Sequence, residues 1–209
     1  ETIRRDFVAN VSHELKTPIT SIKGSVETLI QGALKDTNAA KQFLEITSRQ
    51  ADRLNSIIED LLTLSRLEQG HSLEEGGGPI VFEEYPIHEL FHESIKDIDT
   101  IAKEKNISIN VDCQKNIRAR INPALMIQAL SNLLGNAVKY SEPDTIVYVK
   151  VDEVEQELKI TFTDQGHGIS SQHLERLFER FYRVDTARSR KMGGTGLGLS
   201  IVKHIAQVH

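Results

Sequence analysis

Apolar residues recur every three or four positions along the first third of the chain, which is the spacing of an amphipathic helix. The first run extends to Ile30, with apolar positions at Phe7, Val11, Leu15, Ile19, Ile22, Val26, Leu29 and Ile30. Gly32 interrupts the pattern, and a second run follows from Phe43 to Leu67. The N-cap candidates of this second helix are Asp36, Thr37 and Asn38. Two helices of about 30 residues joined by a short turn predict an antiparallel hairpin.

The pattern changes after the glycine-rich stretch that ends at Pro79, which is typical of a linker. Strands are predicted at 80–84, 107–112, 118–122, 145–154 and 157–164, and helices at 87–105 and 123–140. This order predicts an α/β sandwich with its helices on one face of the sheet. The predicted organisation is a helical domain at 1–69, a linker at 70–79 and a second domain at 80–209. A lone hairpin cannot bury both apolar stripes, so we expect a dimer that forms a four-helix bundle.

Composition narrows the class of protein. The chain has 209 residues and a net charge of -5, which argues against a general nucleic-acid binder. Its single cysteine, Cys113, excludes an internal disulfide and lies in an alternating stretch that predicts a strand end. No run of about 18 apolar residues is present, so the sequence predicts neither a transmembrane helix nor a signal peptide.

The segment "SHELKTP" places a histidine, His13, on the first helix. At about 100° per residue, His13 falls roughly 180° from the centre of the apolar stripe, so it is predicted to face solvent together with Thr17. Pro18 removes the amide that would bond the Glu14 carbonyl, so a kink is expected just after the histidine.

Three interpretations of His13 compete on this segment alone. A solvated surface histidine is the simplest. A zinc helix would need His-Glu-x-x-His, and position 17 is threonine. The third is a nucleophilic imidazole assisted by the neighbouring carboxylate of Glu14.

Three later segments carry features suited to a nucleotide. In "ALSNLLGNAVKYS", Asn132, Asn136 and Lys139 share a helix face. Amide oxygens can coordinate a hard cation, and an ammonium can pair with phosphate. In "TFTDQGHGI", Asp164 ends a strand before two glycines, where a carboxylate can accept from an exocyclic amine and the backbone can approach a flat base. A solvated polar face and a plain Asp-Gly turn are the corresponding alternatives.

The third segment, "GGTGLGLSIVKHIAQVH", sets glycines before a helix whose free amides can face an anion. It is neither a Walker loop nor a Rossmann turn, because no Gly-Lys-Ser/Thr ends it and no second strand follows. The polar stretch before it suits a basic flap over phosphates, or an ordinary basic loop; its cations are Arg180, Arg183, Arg188, Arg190 and Lys191.

Taken in order, these segments resemble the sensor histidine kinases of two-component signalling. "SHELKTP" is similar to the phosphoacceptor H box, "NLLGNAVKYS" to the N box, "DQGHGI" to the G1 box, "FERFYR" to the F box and "GGTGLGLSI" to the G2 box. The similarity spans nearly the whole chain, and five motifs in one order make it specific. Residues 4–24 further resemble the phosphate-sensing kinases of Gram-positive bacteria.

The resemblance implies a kinase that moves a phosphoryl group from ATP, with Mg²⁺, to His13 and then to an aspartate of a response regulator. It implies that Glu14 holds and deprotonates the ring, and that Thr17 positions water for phosphatase activity toward the regulator. Asn136 is the implied Mg²⁺ ligand. The implied nucleotide-binding residues are Asn132, Asn136, Lys139, Tyr140, Asp164, Gly166, Gly168, Arg183, Gly194, Thr195, Gly196, Leu197 and Gly198. The second domain would have the Bergerat fold shared with Hsp90-like and gyrase-like ATPases.

The same resemblance implies a homodimer through the N-terminal helices, a receiver domain as partner, and no nucleic acid. We expect this chain to be the cytoplasmic portion of a membrane sensor. The sensor would reach the membrane only through segments that are absent from this chain. Family members usually continue with a glycine-rich turn and one or two strands, so we expect an incomplete sheet. Two other functions stay open: an ATPase that drives a conformational clamp, and a scaffold without chemistry.

Overall fold

A computed structural model describes residues 2–70, 78–155, 157–185 and 194–209. The chain divides into two compact units, one made of Glu1–Leu62 and Asp185–Leu197, the other of Thr63–Val184 and Gly198–His209. Most of the predicted linker lies outside the described residues, and the domain boundaries stay a prediction.

Two long helices, α1 (Thr2–Ile30) and α2 (Thr37–Glu68), confirm the predicted helical pair. A 3-10 turn at Ala33–Lys35 connects them, and Gly32 before it adopts a φ of 140°. Asp36 is the N-cap of α2, since its Oδ1 accepts from the amides of Asn38 at 2.9 Å and Ala39 at 3.2 Å. α1 continues through Pro18, and the predicted kink after His13 stays a prediction.

The remaining elements give the predicted mixed α/β class. The strands are β1 (Glu83–Pro86), β2 (Ser108–Asp112), β3 (Arg118–Ile121), β4 (Ile146–Val154) and β5 (Glu157–Thr163). The helices are α3 (Ile87–Glu104), α4 (Pro123–Tyr140), the short α5 (Ser171–Leu174) and α6 (Gly198–Val208). The expected strand at 80–84 was wrong in position, because β1 begins at Glu83 and its register is set by pairing with β3.

Two sheets organise this part of the chain. β1 and β3 pair antiparallel, while β4 lies between β2, to which it is parallel, and β5, to which it is antiparallel. Along β4 burial alternates, so that Val147, Val149 and Val151 are buried while Tyr148 on the other face is exposed. These valines join α3 and α4 in one apolar core, which includes Leu90, Phe91, Ile98, Leu130, Leu134 and Val138. The buried face of α4 therefore fixes where its polar face lies.

Among the described residues, no helix is both long and apolar enough to cross a lipid bilayer.

Candidate active site

His13 lies on the exposed side of α1, with 67% of its side chain accessible to solvent, as the helical spacing predicted. Thr17 is one turn later and is also exposed; its Oγ1 donates to the carbonyl oxygen of His13 at 3.2 Å. The Nδ1 atom of His13 is 3.9 Å from Oε1 of Glu14, which is longer than a hydrogen bond. The imidazole can therefore be reached from solvent while one of its nitrogens faces a carboxylate.

Glu14 is buried, although it follows an exposed histidine in the sequence. Its side chain is 9% exposed, and Oε2 accepts from Nη2 of Arg53 on α2 at 3.0 Å. The Arg53 side chain is 8% exposed. Because both charges are removed from water, the pair holds the carboxylate in one orientation beside His13. Arg53 was not among the residues predicted from the sequence.

The buried face of α1 differs from the predicted apolar stripe. From Phe7 onward, where the side chains of α1 are described, the buried ones are Glu14, Pro18, Ser25 and Leu29, whereas Ile19, Val26 and Ile30 of the predicted stripe are 52%, 41% and 74% exposed. A charged and a polar residue therefore share the inner face of α1 in the single chain, and burial of those three apolar positions against a second copy stays a prediction.

The position of Arg53 on α2 could have identified it as a residue with a specific partner. Residues 53, 57, 60, 64 and 67 recur at spacings of four and three, and Ile57, Leu64 and Leu67 among them are buried. The two charged members of this set, Arg53 and Asp60, thus lie on an otherwise apolar face. A charge at such a position predicts a specific partner, because an unpaired buried charge is costly.

Asp60 does have a partner. Its Oδ2 accepts from Oγ1 of Thr195 at 2.7 Å, and the same oxygen of Thr195 accepts from the amide of Leu197 at 3.2 Å. Burial raises the pKa of the Asp60 carboxyl above its usual range, and this effect outweighs the lowering by the Thr195 hydroxyl. Thr195 is thereby held to α2 rather than presented freely.

The end of α4 and the turn after β5 meet at the predicted adenine side. Ser141 and Gly166 form an antiparallel bridge, and the amide of Gly166 donates to Oδ1 of Asp164 at 2.8 Å. A Cβ atom on Gly166 would lie 2.7 Å from the carbonyl oxygen of Tyr140, so only glycine fits here. The structure thus brings together Tyr140, Asp164 and Gly166.

Aromatic and cationic side chains border the same corner. The rings of Tyr140 and His167 are 5.9 Å apart in a T-shaped arrangement, and Nζ of Lys139 is 5.6 Å from the centre of the Tyr140 ring. Nδ1 of His167 donates to the carbonyl of Gly168, which has a φ of 69°. His167 was not among the residues predicted from the sequence, although its position between two glycines could have marked it.

Asn132 and Gly198 form a second contact among the predicted residues. A Cβ on Gly198 would lie 3.2 Å from Oδ1 of Asn132, so the glycine lets the start of α6 approach α4 closely. Nδ2 of Asn132 is buried and has no hydrogen-bond partner within the described part of the chain. A bound ligand could satisfy this donor. Asn136, one turn later, is half-buried.

Lys105, which was not predicted from the sequence, stabilises the C-terminal end of α4. Nζ of Lys105 donates to three carbonyls at the C-terminal end of α4, those of Val138 at 3.0 Å, Lys139 at 2.8 Å and Ser141 at 2.8 Å. A cation there satisfies carbonyls that have no helical partner and complements the helix dipole. Lys105 therefore fixes the end of the helix that carries Lys139 and Tyr140.

The remaining predicted residues belong to the polar stretch and the glycine loop. Arg183 is partly buried, Gly196 adopts a φ of 79°, and Leu197 is fully buried. Arg188, Arg190 and Lys191, expected in a basic flap, lie outside the described residues.

The donor set suits phosphates and a hard cation rather than a transition metal. In the described ranges no group of three or more His, Cys, Asp or Glu side chains could hold a metal ion. The polar face of α4 instead offers the neutral amides of Asn132 and Asn136. A Mg²⁺ ion bound by such amide oxygens would take its remaining ligands from phosphates and water.

Two family profiles match the chain. Residues 3–70 match the His Kinase A (phospho-acceptor) domain, and residues 121–209 match the histidine kinase-, DNA gyrase B-, and HSP90-like ATPase. The sensor protein kinase WalK of Staphylococcus aureus is 38% identical over 211 residues, which cover 100% of this chain and 49% of WalK. WalK of strain JH9 shows the same identity over 34% of its length. The chain thus spans a third to a half of the length of these curated relatives.

Solved structures show the same architecture. Histidine kinase AdeS of Acinetobacter baumannii superposes with a TM-score of 0.70 and 26% identity, over 92% of this chain and 85% of AdeS. Histidine kinase ThkA in complex with the response regulator protein TrrA gives a TM-score of 0.71 at 20% identity, over 91% of this chain and 55% of ThkA. The second likeness shows the fold alone.

Proposed function

The chain belongs to the sensor histidine kinases, and from this premise we propose that it transfers the γ-phosphoryl group of ATP to His13 and then to an aspartate of a response regulator. One observation carries the proposal. An exposed imidazole has Nδ1 directed at a buried carboxylate, in a chain whose second half matches an ATPase family.

The carboxylate makes His13 a directed nucleophile. Glu14 favours the tautomer that carries its proton on Nδ1, so the lone pair of Nε2 points away from the helix. In the transfer, a bond forms between Nε2 and the γ-phosphorus while the bond to the bridging oxygen breaks, and its electron pair leaves with ADP. The ring gains positive charge, which the ionised Glu14 stabilises.

The second unit supplies the nucleotide side of the proposal. Asp164 would accept from the adenine amine, Tyr140 would pack on the base, and Lys139 would pair with a phosphate. Asn136 would hold Mg²⁺, which neutralises phosphate charge when bound. The glycine loop at 194–198 and Arg183 would line the phosphate side. Support comes from the contacts that already unite Tyr140, Asp164 and Gly166.

We propose a homodimer through α1 and α2. In the single chain these helices leave apolar side chains exposed, namely Val8, Ile19, Val26, Ile30, Leu44, Ile58 and Leu62. Burying them against a second copy would complete a four-helix bundle, since exposed stripes of this kind mark an interface. The receiver domain of a response regulator is the proposed partner of the His13 face, by analogy with the ThkA complex.

The position of the chain within a longer protein is also part of the proposal. Helical residues 1–69 would form the phosphotransfer domain, 70–79 the linker and 80–209 the ATP-binding domain. From the family resemblance we also propose that the chain is the cytoplasmic portion of a membrane sensor; the sensor protein kinases that it matches are two to three times as long.

Labelling with γ-³²P-ATP and Mg²⁺ tests the kinase proposal. We expect protein-bound label that survives base and is lost in acid, as phosphohistidine requires. Released phosphate without bound label would favour the clamp ATPase, and nucleotide binding without either product would favour the scaffold. Asn136→Asp should weaken Mg²⁺-dependent ATP binding, because it replaces a neutral amide beside the phosphates by a charge.

Phosphatase activity toward the regulator is a second proposed activity, carried by Thr17. Its exposed side chain lies one turn from His13 on the same face, where a hydroxyl can position water. Thr17→Ala should slow release of phosphate from a phosphorylated receiver domain while autophosphorylation continues. Equal phosphatase rates for wild type and Thr17→Ala would contradict this assignment.

A further inference from the structure

Three charged or titratable groups form a chain of contacts across α1 and α2. Nη2 of Arg53 donates to Oε2 of Glu14 at 3.0 Å, and Oε1 of the same carboxylate lies 3.9 Å from Nδ1 of His13. Exposure rises along this chain, from 8% for Arg53 and 9% for Glu14 to 67% for His13. The two carboxylate oxygens therefore face different groups: one faces the guanidinium and the other faces the imidazole.

Stability alone does not explain the pair. Removing two charges from water has a cost that a buried ion pair recovers only in part, and apolar replacements of similar volume are often as stable. Ile57 lies four residues after Arg53 on the same face of α2 and is fully buried, so an apolar side chain suits this face. A charged pair here is therefore better explained by an effect on its exposed neighbour.

We propose that Arg53 is a positioning residue for phosphoryl transfer to His13, acting through Glu14. The inference rests on the proposed kinase function. With Oε2 fixed by Arg53, rotation of the carboxylate is restricted and Oε1 stays directed at Nδ1. Without the guanidinium, Oε2 of the buried carboxylate loses the donor at 3.0 Å, and the carboxylate would turn toward solvent or take up a proton. Either change removes the acceptor from the imidazole.

The effect belongs to the transfer step rather than to ATP binding. As the bond between Nε2 and phosphorus forms and the phosphorus–oxygen bond to ADP breaks, the ring becomes cationic until Glu14 takes the proton from Nδ1, the role that the family resemblance implies. An ionised, fixed Glu14 stabilises that charge more than it stabilises the neutral ring. Loss of Arg53 should consequently lower kcat and leave KM for ATP unchanged.

The experiment compares Arg53→Leu, Arg53→Gln and Arg53→Lys with wild type in the whole chain. We expect autophosphorylation by Arg53→Leu to be at least tenfold slower, with KM for ATP within twofold of wild type, and Arg53→Lys to recover most of the rate. Arg49→Leu, which removes an exposed cation one turn earlier on α2, is the matched control and should keep the wild-type rate. If Arg53→Leu does not fold, Arg53→Gln carries the comparison, because it keeps a donor and loses the charge.

A double-mutant cycle separates positioning from a general structural effect. Since Arg53 acts through Glu14, adding Arg53→Leu to Glu14→Gln should slow the reaction no further. A wild-type rate in folded Arg53→Leu, a rise in KM instead of a fall in kcat, or fully additive losses would each overturn the proposal.

A second readout needs no ATP. Diethyl pyrocarbonate modifies neutral imidazoles, and peptide mass spectrometry can compare His13 with the exposed His92 as an internal reference. We expect the His13 rate, relative to His92, to fall severalfold in Arg53→Leu and to stay unchanged in Arg49→Leu. An unchanged ratio in Arg53→Leu would overturn the inference. If ATP fails to label wild type, the kinase proposal fails, whereas this ratio still tests the link from Arg53 to His13.

Discussion

Replacing Gly166 by alanine tests the geometry of the proposed adenine side. The new Cβ would lie 2.7 Å from the carbonyl oxygen of Tyr140 and 2.8 Å from Oδ1 of Asp164. An ordinary contact begins near 3.4 Å, so the backbone would have to separate by about 0.7 Å (3.4 minus 2.7). The opposing atom belongs to the end of α4, which three hydrogen bonds from Lys105 hold in place.

The free-energy cost of Gly166→Ala follows from the contacts that the new Cβ would disrupt. Overpacking of this kind costs about 1–3 kcal/mol, and separation would weaken the Ser141–Gly166 bridge and the bond from the Gly166 amide to Asp164. If about 1.4 kcal/mol of this cost falls on the bound state, the dissociation constant for nucleotide rises about tenfold. We therefore expect at least tenfold weaker binding.

Isothermal titration of the whole chain with Mg²⁺ and ATP measures this change, and thermal unfolding reports stability in parallel. Gly135→Ala is the matched control, because its Cβ would meet only Cγ2 of Ile98 at 3.8 Å, an ordinary contact. Alanine within a helix is favoured over glycine by about 0.5–1 kcal/mol, so this control should melt higher and bind ATP as wild type does. Unchanged affinity and melting for Gly166→Ala would refute the assigned approach of backbone to Tyr140.

Three further predictions concern buried or capping charges. Asp60→Asn should raise the unfolding temperature at neutral pH and lose this advantage in acid. Because the pKa of Asp60 is raised in the folded state, the folded chain binds the proton more tightly, and the stability of wild type falls as pH rises through that value. Thermal melts of both proteins from pH 3 to pH 8 check the sign. Asp36→Ala should lower the free energy of unfolding by about 1 kcal/mol through loss of the α2 N-cap, with Asp36→Ser, which keeps a capping oxygen, close to wild type in urea unfolding. Lys105→Met should leave three carbonyls of α4 without their cation and weaken ATP binding severalfold in titration calorimetry, while Lys103→Met, at an exposed position of α3, should not.

Local periodicity predicted the elements where one face is apolar and the other polar. α4 was predicted at its observed bounds, Pro123–Tyr140. The structure shows what sets its start: proline lies in the first turn, and Oδ1 of Asn122 accepts from the amide of Leu125. Along β4 the alternation of buried valines and exposed residues made the strand equally clear. The outward direction of His13 followed from angles on a helix and needed no tertiary information.

Other features depend on residues distant in sequence. Arg53 and Glu14 are 39 positions apart, and only the packing of α1 on α2 brings them together. Lys105 likewise reaches carbonyls more than 30 positions away. Periodicity marked a charge on the buried face at position 53, but pattern alone does not say which carboxylate it meets.

In the proposed reaction His13 accepts a phosphoryl group from ATP. Incubation with γ-³²P-ATP and Mg²⁺, wild type beside His13→Gln, with nucleotide binding measured on the same samples, tests it directly. We expect base-stable, acid-labile label in wild type, no label in His13→Gln and equal ATP affinity in both. Label at the wild-type level in His13→Gln would contradict the assignment of His13, and a wild type that binds ATP without acquiring label would contradict the kinase function.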